Sequence, residues 1–506
     1  MSIKVRSVSV ESIALAAACA FSLAGCLGDP DTEPTAEAIS TTAAALRSKG
    51  NVRERIDPAG LLESASSNGF GAAATNGFFA NLGTNGRTCG SCHVIEDGWT
   101  ITPAHARGLA ADDALFTPND GSDCPPTSAA QGPCKELSTE LTSYGLIRVQ
   151  IGVPAGADFW LVSATNPAGC ALAPASPDVR SELFLYRRPL PSTNLVFDTT
   201  IMWDGRETLQ KVTNAAGFQD QGPWLFDLND QANAATMGHA QGASIAGTPA
   251  QADIVAFETN LYTAQSRFGF FEPLDAKGAH GGAQYLASVV APAFAVGVND
   301  PLQPGFSSAA FTVFAAWEPA SPGYDSLDPI QKAIGRGEAL FNQTTFTIHD
   351  VPGLNSTPDD PLYNPNDPLA GQDIEGGCAV CHNSPNVGNH SSSLQINIGV
   401  TMAQPVNNDG SPNNRLDVAH LPVYTLTEGT AQVNVTDPGR ALITGHWTDV
   451  GKTKGPILRG LAGRAPYFHN GSAKDLTTVV RFYNDRFAIG LSDRQVRDLV
   501  AFLNAL

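Results

Sequence analysis

Apolar positions recur at helical spacing in three parts of the chain. Asp253-Ile-Val-Ala-Phe257-Glu-Thr-Asn-Leu261 and Asp498-Leu-Val-Ala-Phe502-Leu-Asn-Ala-Leu506 resemble each other, and each places apolar residues at i, i+3 or i+4, and i+7 or i+8. That is the stripe of a short amphipathic helix. Ser492 with Gln495 three residues on gives the second a capping-box start. A third stripe, Ile330, Ile334, Gly337 and Phe341, predicts a helix over 330–341. Elsewhere the period dissolves. The stretch 318–328 is rich in Pro, Ser and Gly and reads as a boundary, while 343–376 carries several Pro, Asp and Asn and reads as an inserted loop open to substrate or solvent. The pattern predicts two helical units, 51–318 and 319–506, joined by long irregular connections.

The first apolar run is of a different kind. Lys4 and Arg6 precede a stretch from Ser12 to Gly25 that is too short to span a bilayer. It closes on Leu23-Ala24-Gly25-Cys26, a lipobox pattern in which Cys26 is acylated after cleavage. Residues 1–25 are therefore expected to be a lipoprotein signal peptide and 26–50 a flexible tether. The expected location is the periplasmic side or surface of a Gram-negative bacterium, with the lipid on Cys26 held in the outer membrane.

Composition narrows the class. Length 506 suits two or three domains, and 42% apolar content excludes a disordered chain. With 49 acidic against 30 basic residues the net charge is −19, which removal of Lys4, Arg6 and Glu11 with the leader takes to −20. Nucleic acid is excluded as a partner, because a polyanion needs a basic face. The acidic balance favours a small or basic redox partner.

Nine cysteines sort into groups. Cys19 lies in the leader and Cys26 carries the lipid. Cys89-Gly-Ser-Cys92-His93 and Cys378-Ala-Val-Cys381-His382 both fit the c-type heme attachment pattern. Such thiols form thioethers to the heme vinyls and the adjacent histidine becomes the proximal iron ligand. Two covalently bound hemes c are thus expected, and leading helix, motif and closing helix are the minimal parts of a cytochrome c unit. Cys124, Cys134 and Cys170 remain. Export permits disulfides, and Cys124 with Cys134 would close a short Pro-rich loop, but sequence leaves the pairing open.

Taken with the two motifs, three segments resemble the bacterial diheme cytochrome c peroxidase and MauG superfamily: Met202-Trp203-Asp204-Gly205-Arg206, Thr436-Asp437-Pro438-Gly439-Arg440, and Ala465-Pro466-Tyr467-Phe468-His469-Asn470-Gly471. The likeness covers roughly 75–506. It implies a mainly α fold of two cytochrome c-like heme domains packed against each other, with long irregular loops. The heme on His93 would be reactive, with an open or displaceable sixth position, and the heme on His382 would transfer or store electrons. Trp203 is implied as the relay between them. Arg459 and His469 would lie beside the carboxylates of the second heme. Its sixth ligand falls at Tyr483, fourteen positions beyond His469, where peroxidases have methionine and MauG has tyrosine; Met402 is the rival. A phenolate favours the ferric state and lowers the reduction potential, so a Tyr483-ligated heme would hold an oxidising equivalent better than an electron.

The distal side of the first heme departs from the peroxidases, which move a proton between the two peroxide oxygens with a glutamate. In Ala235-Thr236-Met237-Gly238-His239-Ala240-Gln241 that position is Thr236, which cannot do so. His239 or Gln241 would substitute, and His239 has the more suitable pKa. His105, twelve residues after His93, is a candidate displaceable sixth ligand. His390 follows the second motif closely, and His280, His349, His420 and His446 receive no role. The family's interheme calcium aligns poorly around Leu190 to Asn194, with carbonyls near Arg464 and Pro466 as further donors. The implied activity is reaction with hydrogen peroxide, either as a peroxidase fed by a small electron-donor protein or as a MauG-like oxidant of a partner protein. A rubber-oxygenase-like diheme oxygenase, a non-catalytic diheme electron-transfer cytochrome and a scaffold lipoprotein are the alternatives. Related peroxidases are often dimers, so a homodimer is implied as well.

Overall fold

Helix starts follow cap chemistry. Thr102, Thr248, Asp328, Asp475 and Ser492 each accept a backbone N–H from the turn that follows, satisfying donors that a helix start leaves orphaned. In the computed structural model the described residues are 51–66, 69–70, 76–128, 130–170, 182–209, 221–269, 272–290 and 294–506. The expected signal peptide, Cys26 and the tether lie outside them. The described helices are α1 (Pro103–Gly108), α2 (Thr139–Tyr144), α3 (Gln221–Gly238), α4 (Pro249–Thr259), α5 (Ala283–Val290), α6 (Pro329–Gln343), α7 (Ala441–Thr444), α8 (Leu476–Arg486) and α9 (Asp493–Asn504). Helical periodicity did not announce the strands between them. These are β1 (Val52–Asp57), β2 (Gly60–Ser66), β3 (Ile147–Gly152), β4 (Trp160–Thr165), β5 (Glu182–Arg187), β6 (Leu261–Phe268), β7 (Glu272–Pro273), β8 (Phe346–Ile348), β9 (Ile374–Gly376), β10 (Gln395–Ile396), β11 (Val423–Glu428), β12 (Ala431–Val435) and β13 (Thr453–Lys454). They build small sheets in the orders β1-β2-β6-β7, β3-β5, β12-β11-β4, β8-β9 and β10-β13.

The C-terminal core forms where α6 crosses α9. A Cβ on Gly337 would stand 2.1 Å from the Asp498 carbonyl, so only glycine lets the two backbones approach this closely. Phe341 and Phe502 pack beside that contact with ring centroids 5.7 Å apart. The capping box at Ser492 and Gln495 is present. Ile334, Gly337 and Phe341 are buried as expected, but Ile330 is 39% exposed because it sits in the first turn, clear of the crossing. In the first half α4 packs on a short turn, Gly77–Phe79, through Phe78 and Phe257 with centroids 4.8 Å apart. Asn260 ends α4, so Leu261 opens β6 instead of closing the helix.

The expected boundary at 318–328 is not a gap in the packing. Leu274, Phe311, Phe314 and Trp317 join the same apolar cluster as Ile334, Val480 and Phe502, and β4 pairs antiparallel with β11. The stretch 343–376 is likewise not a loose insertion. Its β8 and β9 pair, and Ile348, Val351 and Leu354 are buried with Val380 and Phe487, wrapping the second Cys-x-x-Cys-His segment in apolar side chains.

Candidate active site

Both Cys-x-x-Cys-His segments fold the same way. Cys89–Ser91 and Cys378–Val380 are single 3-10 turns in which the second cysteine N–H donates to the first cysteine carbonyl at 3.2 Å. The histidine N–H donates to that same carbonyl, at 3.0 Å for His93 and 2.9 Å for His382. His93 Nδ1 meets the Trp99 carbonyl at 3.0 Å, and His382 Nδ1 meets the Gly388 carbonyl at 2.7 Å. A carbonyl partner requires the proton on Nδ1, which leaves Nε2 as the lone-pair nitrogen. Burial lowers the pKa of both rings, to about 4 for His93, so both are neutral at pH 7, as an iron ligand must be. The four thiols form no disulfide. Burial pushes Cys92 up to about 11 and Cys378 and Cys381 each up to about 12.

His239 follows α3 directly, and its Nδ1 is held by Asp120 Oδ2. Asp120 Oδ1 accepts in turn from Arg87 Nη1, so one carboxylate joins the histidine to a buried guanidinium. Arg87 also donates to the carbonyls of Ala114, Leu115 and Thr117 at 2.8, 2.6 and 3.0 Å, which folds 114–120 around the first motif. Gln241 is exposed with its backbone at φ 53°, and what is anchored is its carbonyl, by Thr84 Oγ1 at 3.0 Å. Thr236 is buried and spends its hydroxyl on the Ala232 carbonyl at 2.9 Å. His105 lies on α1 beside Asp97, Nδ1 to Oδ2 3.5 Å. Glu258 on α4, which sequence reasoning passed over, is buried with Oε2 unpartnered, and burial raises its pKa to about 8. Its charge is felt at Cys89.

At the second motif Tyr483, on α8, faces His382 with ring centroids 6.5 Å apart and planes at 78°. It shares an apolar cluster with Cys381. Met402 instead packs with Tyr424, Val435 and Trp447, its sulfur accepting from Asn397 Nδ2 at 3.7 Å. His390 is buried, and desolvation, aided by nearby His382, lowers its pKa to about 3. Arg459 is fully buried and donates from Nη1 to the Asn386 carbonyl at 3.3 Å, while Nε and Nη2 have no partner. Arg464 donates from Nε to the Gly98 carbonyl at 3.0 Å and leaves Nη2 unpartnered.

The three remaining segments converge on one junction between the motifs. Arg187 at the end of β5 donates to Asp437 at 2.7 and 2.9 Å and to Asp204 at 2.5 Å. Burial alone would raise the pKa of either carboxyl, but the guanidinium overrides it and holds Asp204 near 2 and Asp437 below the carboxylate range. Arg440 donates to the Asp204 carbonyl at 3.2 Å. Gly439 has φ 56°, and a Cβ there would stand 2.4 Å from the Lys452 carbonyl. Trp203 donates Nε1 to the Arg188 carbonyl at 2.8 Å, and its ring meets His469 edge-on with centroids 6.1 Å apart. Its neighbour Met202 packs in the cluster that contains Cys89. His469 is buried with neither ring nitrogen hydrogen-bonded, Nε2 lying 3.7 Å from Asp437 Oδ2. The calcium donors do not fit. Asn194 exchanges both of its side-chain bonds with Thr263 at 2.9 Å, and the Arg464 carbonyl accepts from Arg188 Nη2 at 3.0 Å. Among the described residues no cluster of three His, Cys, Asp or Glu could hold a metal ion. Cys124 pairs with Cys170, Cα to Cα 5.5 Å, and not with Cys134, whose backbone N–H bonds Phe116 instead.

The motifs, Trp203, Tyr483, Arg459, His469 and His239 were legible in the sequence as candidates, whereas the side chains of Arg87, Asp120, Arg187, Arg188 and Arg464 were not. One signal was present: Arg187-Arg188 closes the apolar run Leu183–Tyr186, where a charged pair is out of place unless it is bonded inside.

No protein-family model matches the chain. Among curated proteins it is 36% identical over 141 residues to cytochrome-c peroxidase IdrP2 of Denitromonas iodatirespirans and 31% identical over 147 residues to cytochrome-c peroxidase IdrP1 of the same organism. It is 31% identical over 140 residues to cytochrome-c peroxidase IdrP2 of Pseudomonas sp. (strain SCT). Each match covers 26% of this chain, and the chain spans 36, 37 and 36% of the length of these relatives, so over that part it is similar to cytochrome-c peroxidases.

Proposed function

We propose that the protein is a diheme c-type oxidoreductase with two cytochrome c-like units, reacting with hydrogen peroxide at the His93 centre and exchanging electrons with the His382 centre. The observation that carries this reading is the pair of Cys-x-x-Cys-His turns, each with a neutral, partly buried histidine locked to present Nε2. Cys89, Cys92, Cys378 and Cys381 would attach the two hemes, His93 and His382 would hold their irons, and the orphaned donors of Arg459, Arg464 and His469 suit their carboxylates. Bound heme supplies the redox chemistry, in which hydrogen peroxide takes two electrons and two protons to give two waters. His239 handles the proton at the first centre. Trp203 fills the space between the first-motif cluster and His469 and is the relay. The partners are hydrogen peroxide and a small electron-donor protein. The location is the periplasmic side of the outer membrane through the lipid on Cys26.

A second mode has its own observation. Tyr483 stands against His382 in the cluster of Cys381, whereas Met402 does not, and a phenolate ligand would favour MauG-like oxidation of a partner protein over electron storage. Peroxide added to the fully oxidised protein, and separately to the half-reduced protein, tests both. Rapid reaction only after half-reduction supports the peroxidase mode, and reaction of the fully oxidised form supports the MauG-like mode. No reaction in either state, or fewer than two covalent hemes per chain, refutes the proposal.

A further inference from the structure

Asp120 is 7% exposed and Arg87 is 3% exposed, yet the carboxylate is shared with the ring of a half-exposed histidine. The pairing is built with care. The His239 carbonyl is itself held by Asn85 Nδ2 at 2.8 Å and Arg87 Nη1 at 3.3 Å, so backbone and ring are both fixed from the segment that leads into Cys89. Nδ1 carries the proton toward Asp120, and among the described residues Nε2 has no hydrogen-bond partner. Arg87 donates to the Leu115 and Thr117 carbonyls, and Leu115 and Phe116 pack with Cys92 in one apolar cluster, which sets the pair beside the first motif. A carboxylate behind a histidine is the arrangement that sets its tautomer and steadies the cation formed when the far nitrogen takes a proton.

We infer that Asp120, braced by Arg87, is a positioning residue that orients His239 and keeps its Nε2 lone pair available at the first Cys-x-x-Cys-His turn. The inference rests on the peroxide reading above. In that reaction Nε2 takes the proton from one peroxide oxygen and returns it to the other as the O–O bond breaks and that oxygen leaves as water. The two electrons come from the electron-donor protein by way of the two centres, and the remaining oxygen takes up two protons to leave as the second water. The histidine thus ends unchanged, and Asp120 steadies its transient imidazolium.

Cyanide provides a test that needs no turnover. Hydrogen cyanide must surrender its proton as the anion binds, and the proton goes to Nε2. Association of cyanide with the oxidised, heme-loaded protein is followed by absorbance in wild type, Asp120→Asn, His239→Gln and the double variant, with heme content and melting temperature recorded for each. Asp120→Asn is expected to slow association about 10- to 100-fold, His239→Gln at least as much, and the double variant no more than His239→Gln alone, because Asp120 acts through the histidine. If Asp120→Asn does not fold, Asp120→Glu replaces it, where slower association supports the inference and a wild-type rate overturns it. A wild-type rate in Asp120→Asn, or a double variant slowed by the full product of the two factors, overturns the positioning role and leaves the peroxide reading intact. A wild-type protein that takes up neither cyanide nor peroxide overturns the peroxide reading and this inference with it.

Discussion

Arg187 is 2% exposed and ties Asp204, beside Trp203, to Asp437, which lies near His469. Replacing it with methionine keeps much of the volume and removes the charge. Asp204 at about 2, against its ordinary 3.8, corresponds to about 2 kcal/mol of favourable interaction in the folded state. Breaking a buried pair by deleting one partner costs about 3–5 kcal/mol, because the abandoned carboxylates stay desolvated. Asp204 retains the Arg206 guanidinium at 3.1 Å, whereas Asp437 retains the Gly439 N–H at 2.8 Å and His469 at 3.7 Å but no second guanidinium among the described residues, so Asp437 bears most of the loss. The sign with pH reverses as well. In the wild type both folded-state values are depressed, so the stabilisation is complete above the ordinary carboxyl range and is lost only as pH falls through it toward 2. It does not change between pH 5 and 7. In Arg187→Met, burial without the guanidinium raises the folded-state values, so the protein binds protons on folding and gains stability from pH 7 to pH 5. Urea unfolding followed by circular dichroism at both pH values measures this. A loss under about 1 kcal/mol at pH 7, or the wild-type pH dependence in the variant, would refute the reasoning.

Three further outcomes are expected. On the proposed diheme reading, Tyr483→Met should raise the reduction potential of the heme held by His382, because a neutral thioether would replace an anionic ligand; an unchanged potential and spectrum in a spectroelectrochemical titration would show that Tyr483 is not coordinated. Glu258 has its pKa raised from 4.5 to about 8 by burial, so its contribution to stability falls as pH rises through that window, by at most about 1.4 kcal/mol per pH unit. Glu258→Gln should flatten that part of the unfolding profile, and an unaltered slope between pH 5 and 8 counts against it. Replacing Cys124 and Cys170 by serine opens a loop of 46 residues and should cost about 4 kcal/mol by chain entropy, read as a lower urea midpoint, whereas Cys134→Ser should leave the midpoint nearly unchanged.

What the sequence revealed depended on how local the causes were. The capping box at Ser492 and the stripe of Ile334, Gly337 and Phe341 are set by residues within two helical turns, and these formed as read, Ile330 excepted. Each Cys-x-x-Cys-His turn is likewise closed by bonds inside five residues. The small sheets were missed because their causes are distant: β4 acquires its partner β11 from more than 250 residues away, and strands that short carry little period of their own. Asp120 was missed for the same reason. Nothing near it in the sequence says that Arg87 and His239 will meet on its two oxygens.

The buried arginines extend that argument to the two centres. Burial lowers the pKa of Arg188 to about 10, yet it is satisfied by the carbonyls of Tyr144, Gly145 and Arg464, beside the junction that Arg187 holds. Arg459 and Arg464 are depressed to about 10 and 9 by burial but keep unpartnered donors. Their single anchors are informative. Arg464 bonds Gly98, the residue before the carbonyl that locks His93, and Arg459 bonds Asn386, two before the carbonyl that locks His382. Each motif thus has its own desolvated guanidinium fastened to the loop that orients its histidine. A buried charge with idle donors is costly unless an anion completes it, and a heme held by these motifs brings carboxylates of its own. If each motif holds a heme as proposed, removing either arginine should disturb the heme bound beside it, read as a shift in its absorbance and potential, and leave the other centre unchanged.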